Sequence, residues 1–211
     1  IQFSSFDKKI KTLLLISSGP GEGKTTTSSN LAMVMAQGGN KTLLIDCDQR
    51  KPQVHKVFGF SNEKGLSNIL VNDNEVDINI GIHETLQPNL YVLTSGTRPP
   101  NPAELLGSAK MKNFIENLKK TYDFIILDTP PIVMVTDAQI LAQYTDGCLL
   151  VVASGEAERD AVIKAKGLLD KVNAKILGTV LNKVDTKKKG YYQYEYVETS
   201  EGDKKRRKSK K

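Results

Sequence analysis

The chain has 211 residues, long enough for one domain with a sizeable core, and its apolar and charged fractions of 39% and 26% are those of a globular protein. No apolar run approaches the roughly 18 residues of a membrane-spanning helix. The formal net charge of +6 is confined to the end: residues 187–211 hold ten Lys or Arg against four Asp or Glu, while residues 1–186 balance twenty against twenty. A neutral body argues against a nucleic-acid-binding face and leaves the basic, partner-seeking character to the tail. The two cysteines, Cys47 and Cys148, each sit in a strand-like apolar context, which suits free thiols in a reducing compartment. The sequence opens on Ile1, and no signal peptide is visible.

In chain order, Lys11–Ser17 (KTLLLIS) reads as a buried strand of a parallel sheet, ending in the glycine-rich SGPGEG. A helix is predicted over Thr25–Gln37, closed by Gly38 and Gly39. Lys41–Asp46 is a second strand. Helical pieces follow around Gln53–Phe58 and Leu66–Val71, then a strand at Asn89–Thr94. In SGTRPPNPAELL, Asn101 has the chemistry of an N-cap, Pro102 that of the first helical position, and Glu104 closes a capping box; the helix is expected to run to about Lys120. Asp123–Asp128, Gly147–Ala153 and Lys175–Asn182 are further strands, with an amphipathic helix at Arg159–Val172 between the last two. Strands alternating with helices predict an α/β fold, a mostly parallel sheet flanked by helices. Residues 1–186 form the domain; beyond about Asp185 the apolar pattern stops, and 187–211 reads as a basic, tyrosine-rich tail, disordered on its own.

A strand, a glycine-rich turn and a helix N-terminus make a phosphate cradle, because glycines let backbone N–H groups converge on phosphate oxygens. The stretch Ser18–Thr25 nearly meets GxxxxGK[ST], with Ser18 in place of the first glycine. Gly19, Pro20, Gly21, Glu22, Gly23, Lys24, Thr25 and Thr26 are the candidate nucleotide-binding residues. Lys24 would reach the β- and γ-phosphates, and the Thr25 hydroxyl would bind Mg2+. Asp128 follows FIIL at a strand end, the place of a magnesium-organising aspartate. In LLIDCDQRKP, Asp46 and Asp48 stand two apart with Arg50 two further on, at the strand end where parallel sheets bind ligands.

Together PGEGKTT, IDCDQRKP and ILDTPP resemble the bacterial tyrosine kinases of the P-loop type, the BY-kinases of capsule and exopolysaccharide synthesis. SGTRPPNPAELL, TPPIVMVTDAQIL and the tyrosine-rich tail extend the likeness over nearly the whole chain. The resemblance implies a P-loop NTPase fold, with Walker-A, A′ and B motifs at Ser18–Thr25, Leu44–Arg50 and Ile125–Asp128. It also implies ATP with Mg2+ as donor and tyrosine hydroxyls as acceptors. On this chain Asp46 becomes the candidate acceptor of the tyrosine proton. Asp48 and Asp128 organise magnesium, and Arg50 contacts phosphate or fixes the acids. Tyr191, Tyr192, Tyr194 and Tyr196 become the phosphoacceptors. The family further implies cytoplasmic residence, peripheral at the membrane through an embedded activator whose cytoplasmic segment docks near the nucleotide. Subunits are implied to pack into a ring through an E-x-x-R-x-x-R stretch placed just before a segment like IQF; the sequence opens at Ile1, after that place.

Two rivals remain at this stage. Asn182-Lys183-Val184-Asp185 reads as the guanine-recognising NKxD of GTPases, but Asp128 is followed by Thr129-Pro130-Pro131 and not by DxxG. Asn182 is therefore expected at adenine. A partitioning or switch-type ATPase without kinase activity would often carry a lysine five residues before the P-loop lysine, where this chain has Gly19.

Overall fold

A computed structural model describes residues 10–72 and 81–185. The chain forms a seven-stranded sheet in the order β3-β4-β2-β5-β1-β6-β7. In sequence these strands are β1 (Thr12–Ser17), β2 (Thr42–Asp46), β3 (Ile82–Glu84), β4 (Leu90–Leu93), β5 (Phe124–Asp128), β6 (Gly147–Ala153) and β7 (Ile176–Asn182). All pairings are parallel except that of β3 with β4. The continuous apolar runs of β1, β2 and β5 are explained by burial on both faces. Leu14, Ile16, Leu43, Ile45, Ile125 and Leu127 enter one core, and Leu13, Leu15, Leu44 and Ile126 enter the other.

Helix α1 (Lys24–Gln37) lies against the second core through Ser28, Ser29, Ala32 and Ala36, small residues that let the helix approach the sheet closely. Opposite, α3 (Leu66–Val71), α5 (Ala109–Thr121), α6 (Asp137–Ala142) and α7 (Arg159–Lys171) cover the first core. The short α2 (Val54–Phe58) follows β2, and α4 (Pro102–Leu106) precedes α5. Strand β1 lies between β5 and β6, so the chain turns to opposite sides of it before and after β5. The loops leaving β1, β2 and β5 therefore open onto one crevice at the carboxyl edge, the binding position of open α/β sheets.

The expected Asn101–Lys120 helix is corrected to two. Gly107 ends α4, and Ser108 starts α5 by accepting a hydrogen bond from the Met111 N–H at 3.1 Å. Glycine's low helix propensity and a serine that offers the backbone another acceptor break the run. The Asn101–Glu104 capping box is also not formed: the Asn101 amide donates to Glu104 Oε2 at 3.1 Å and caps no backbone N–H. Strand β3 and helix α6 were not foreseen. Cys47 and Cys148 are both free and buried, as expected. The tail, with Tyr191, Tyr192, Tyr194 and Tyr196, lies outside the described residues.

Gly65 is required by close approach and not by its backbone angle. A Cβ there would stand 2.3 Å from the Thr94 carbonyl oxygen and 2.4 Å from the Gly96 nitrogen. That contact carries the Leu66 N–H to Thr94 O hydrogen bond at 2.9 Å, which ties α3 to the end of β4. Gly65→Ala should lower unfolding stability by about 1–3 kcal/mol. Gly178→Ala, where nothing lies within 4 Å, should be neutral or slightly stabilising when both variants are unfolded in urea.

Candidate active site

The loop after β1 reaches α1 through two left-handed glycines, Gly21 at φ 77° and Gly23 at φ 84°. A residue with a Cβ would be strained at both. At Gly23 its Cβ would also collide with the Asn182 amide, 2.1 Å away. Asn182 closes on the loop directly, its Nδ2 donating to the Glu22 carbonyl at 2.9 Å. The Glu22 side chain folds back over the loop and accepts from the Ser18 hydroxyl and the Gly19 N–H. Ser18, where the motif has glycine, is thereby used as a donor that braces the loop.

At the base of the loop sits a buried ion pair. Lys24 Nζ is 2.5 Å from Asp128 Oδ1. Thr25 Oγ1 donates to Asp128 Oδ2 at 2.7 Å, and Ser28 Oγ to Oδ1 at 3.2 Å. Asp128 thus gathers the cation and two hydroxyls of the loop-and-helix junction across β1. These are hard oxygen donors beside a lysine, the chemistry that suits Mg2+ and phosphate. Among the described residues no three His, Cys, Asp or Glu converge on a metal by themselves. Magnesium would be held by the Thr25 hydroxyl with Asp128 and Asp48 nearby.

Asp46 and Asp128 are register partners on adjacent strands. Asp46 is fully buried, and three backbone N–H groups hold it: Asp48 N on Oδ1 at 3.1 Å, and Gln53 N and Val54 N on Oδ2 at 3.1 and 3.0 Å. Burial first, and the charge of Asp128 second, push its carboxyl up to about 7, against the pull of those amides. Asp48 stands outside this shell and lines the crevice. Its Oδ1 accepts from Arg50 N at 3.1 Å and Lys51 N at 2.8 Å, which fixes the turn.

The crevice holds about 380 Å³ and is walled by residues 19–26, Asp48 and Pro131, with Lys51 and Gln53 beside them. Arg50 is not part of that wall. Its Nε and Nη2 make a paired contact to Asp137 Oδ2 and Oδ1 at 3.1 and 3.0 Å, an acid on α6 and not one of the strand-end acids Asp46, Asp48 or Asp128. Asp137, Ser28, Lys51 and Gln53 were missed in the sequence. Asp137 is a single acid far along the chain, and no spacing links it to Arg50.

The AAA domain family matches residues 10–176, most of the chain. The tyrosine-protein kinase YwqD of Bacillus subtilis (strain 168) is 44% identical over 194 residues, covering 92% of this chain and 81% of its own. The kinase domain of the Escherichia coli tyrosine kinase ETK superposes with a TM-score of 0.83 at 34% identity, over 92% of this chain and 76% of its own. The chain belongs to the bacterial P-loop tyrosine kinases. Another of the solved structures like this tyrosine kinase is the chimerical protein CapA2B2, with a TM-score of 0.81, 41% identity, and 85% and 78% of the two chains covered. Nucleotide binding at the P-loop and protein-tyrosine kinase activity go with that membership, and the GTPase and switch-ATPase readings fall away. No helix among the described residues is long and apolar enough to cross a membrane.

In this tyrosine kinase, Lys24→Met would strand the Asp128 charge against two hydroxyls. Unfolding stability should fall by about 3–5 kcal/mol, the usual cost of breaking one side of a buried pair. The double variant Lys24→Met/Asp128→Asn should recover most of that loss in urea titrations. A stable single variant, or a double variant no better than the single, would show that the pair is not coupled.

Proposed function

We propose that the chain transfers the γ-phosphoryl group of ATP, with Mg2+, to tyrosine hydroxyls, its own tail tyrosines Tyr191, Tyr192, Tyr194 and Tyr196 among them. The observation that carries this reading is the buried Lys24–Asp128–Thr25 cluster beside two carboxylates at the end of β2. Magnesium, held by the Thr25 hydroxyl near Asp128 and Asp48, would supply positive charge against the phosphate oxygens. Lys24 leaves Asp128 for the β- and γ-phosphates, and the N–H groups of residues 21–26 orient them. Asp48 and Asp128 would hold the metal through its waters, and Asn182, at the loop's flank, would meet the adenine.

Asp46 takes the tyrosine proton as the new O–P bond forms and ADP leaves with the old one. A carboxyl held near 7 is matched to that task, since a base works best when its pKa lies near the working pH. A second reading has its own observation: Asp48 lines the crevice, whereas Asp46 is enclosed, so Asp48 has the shorter path to an incoming hydroxyl. The likeness to capsule and exopolysaccharide kinases supports a role in that synthesis. It also supports cytoplasmic residence at the membrane, through an embedded activator protein with a cytoplasmic segment, and self-association of subunits.

Asp46→Asn should keep nucleotide affinity within a few-fold and lower phosphotyrosine formation by roughly 10²–10⁴-fold. Because the base acts when deprotonated, wild-type transfer should climb with pH and level off above about 7. If Asp48→Asn lowers phosphotyrosine formation by that much and Asp46→Asn does not, the base is Asp48. In a nucleotide titration with magnesium, ATP and ADP should bind at least about tenfold more tightly than GTP, which is a difference of about 1.4 kcal/mol. A guanine preference would overturn the donor assignment.

A further inference from the structure

On the far side of the phosphate loop lies a second cleft, of about 370 Å³. It shares Gly19, Pro20 and Glu22 with the nucleotide crevice, so a loop one backbone thick separates the two. Its floor is apolar, made by Val133, Met134, Ala157 and Ala161, and Met134 is 64% exposed. Its charged wall is Glu22, Glu156 and Glu158, and no Lys or Arg among the described residues lines it. Glu22 is itself 5% exposed. Its Oε1 is used by Ser18 and Gly19, but its enclosed Oε2 has no hydrogen-bond partner among the described residues. A buried carboxylate oxygen left without a donor is costly, so the site is one donor short.

The other charges around the cleft do not supply that donor. Lys183 pairs with Glu156 at 2.5 Å, but both side chains are exposed, 39% and 59%, and such a pair is weak and exchangeable. The N-terminus of α7 contributes about half a positive charge, which Glu158 at its cap and Asp160 in its first turn outweigh. A nucleotide is a poor occupant, since three carboxylates would face its phosphates; the polyanion belongs on the Lys24 and Lys51 side. What fits is an ammonium or guanidinium on an aliphatic stem, the stem on Val133, Met134 and Ala161 and the head among the glutamates.

We propose that this cleft is a specificity subsite for the substrate peptide. It receives basic residues standing two to four positions before the acceptor tyrosine. The inference rests on the kinase reading of the adjoining crevice. The tail of this protein has the required chemistry: Lys187, Lys188 and Lys189 precede Tyr191 by four, three and two residues. Two to four extended residues span roughly 7–14 Å, enough to cross the loop and place lysine in the cleft with tyrosine in the crevice.

The test uses the whole chain with two synthetic peptides, KKKGYYQYEYV and AAAGYYQYEYV, in ATP and magnesium at low salt. The lysine peptide should show a KM lower by roughly fivefold with kcat within about twofold, as two or three partly exposed charge pairs would give. Glu156→Gln/Glu158→Gln should erase the difference without changing nucleotide affinity, and Glu158→Lys should raise the KM of the lysine peptide further. Raising the salt should shrink the preference. Equal KM values, or a preference that survives the double variant, would overturn the inference while leaving the kinase reading intact. Fluorescence anisotropy of the labelled peptides reads the same preference as affinity. Lysine-dependent, glutamate-dependent binding without phosphorylation would overturn the kinase reading and keep the cleft. Lysine-independent binding would overturn the cleft.

Discussion

Two opposite charges buried 2.5 Å apart, on Lys24 and Asp128, are the constraint around which the site is arranged. Placing either charge in the interior alone would be strongly unfavourable, so each needs the other until something better arrives. The pair joins the start of α1 to the end of β5 across the central strand β1. It therefore also sets the distance between the phosphate loop and the second strand-end carboxylate. Thr25 and Ser28 complete the coordination of Asp128, so the loop is held before any phosphate is present. An incoming polyphosphate competes for Lys24 with a single carboxylate, and it brings more negative charge and more oxygens to the same point.

The two aspartates at the end of β2 are divided by the backbone and not by their chemistry. Asp46 is drawn inward by the N–H groups that open α2, and this burial raises its proton affinity. Two residues later the chain has turned, and Asp48 faces the crevice with one oxygen fixing that turn. Arg50 is turned away again and locked onto Asp137, so α6 is tied to the loop that carries both acids. The same economy appears in the phosphate loop: Glu22 braces Ser18 and Gly19 with one oxygen and turns a face to each of the two cavities.

Much of this was legible in the sequence because it depends on short-range signals. The runs LLLI, TLLI and FIIL read as strands buried on both sides, and Gly21 and Gly23 of SGPGEG take the left-handed turns. Asp46, Asp48 and Asp128 were placed at strand ends by counting from those runs. What was not legible depends on contacts between distant positions. IHE is too short to show a period, and it becomes β3 by pairing antiparallel with β4. The break at Gly107 and Ser108 needed a serine cap stronger than the helical pattern around it. The Arg50–Asp137 pair spans 87 positions, and the enclosure of Asp46 arises from amides seven and eight residues downstream.

The crevice is proposed as a phosphoryl-transfer site whose acceptors are the tail tyrosines. Three tyrosines are held: Tyr122 is buried, Tyr91 meets it edge to face at 5.5 Å, and the Tyr144 hydroxyl donates to the Leu106 carbonyl at 2.5 Å. The direct measurement is site-resolved mass spectrometry of the purified protein after incubation with ATP and magnesium, with and without an activator segment. Phosphotyrosine should accumulate at Tyr191, Tyr192, Tyr194 and Tyr196. Phosphate mapping chiefly to Tyr91, Tyr122 or Tyr144, or turnover of ATP with no phosphotyrosine under either condition, would contradict the account.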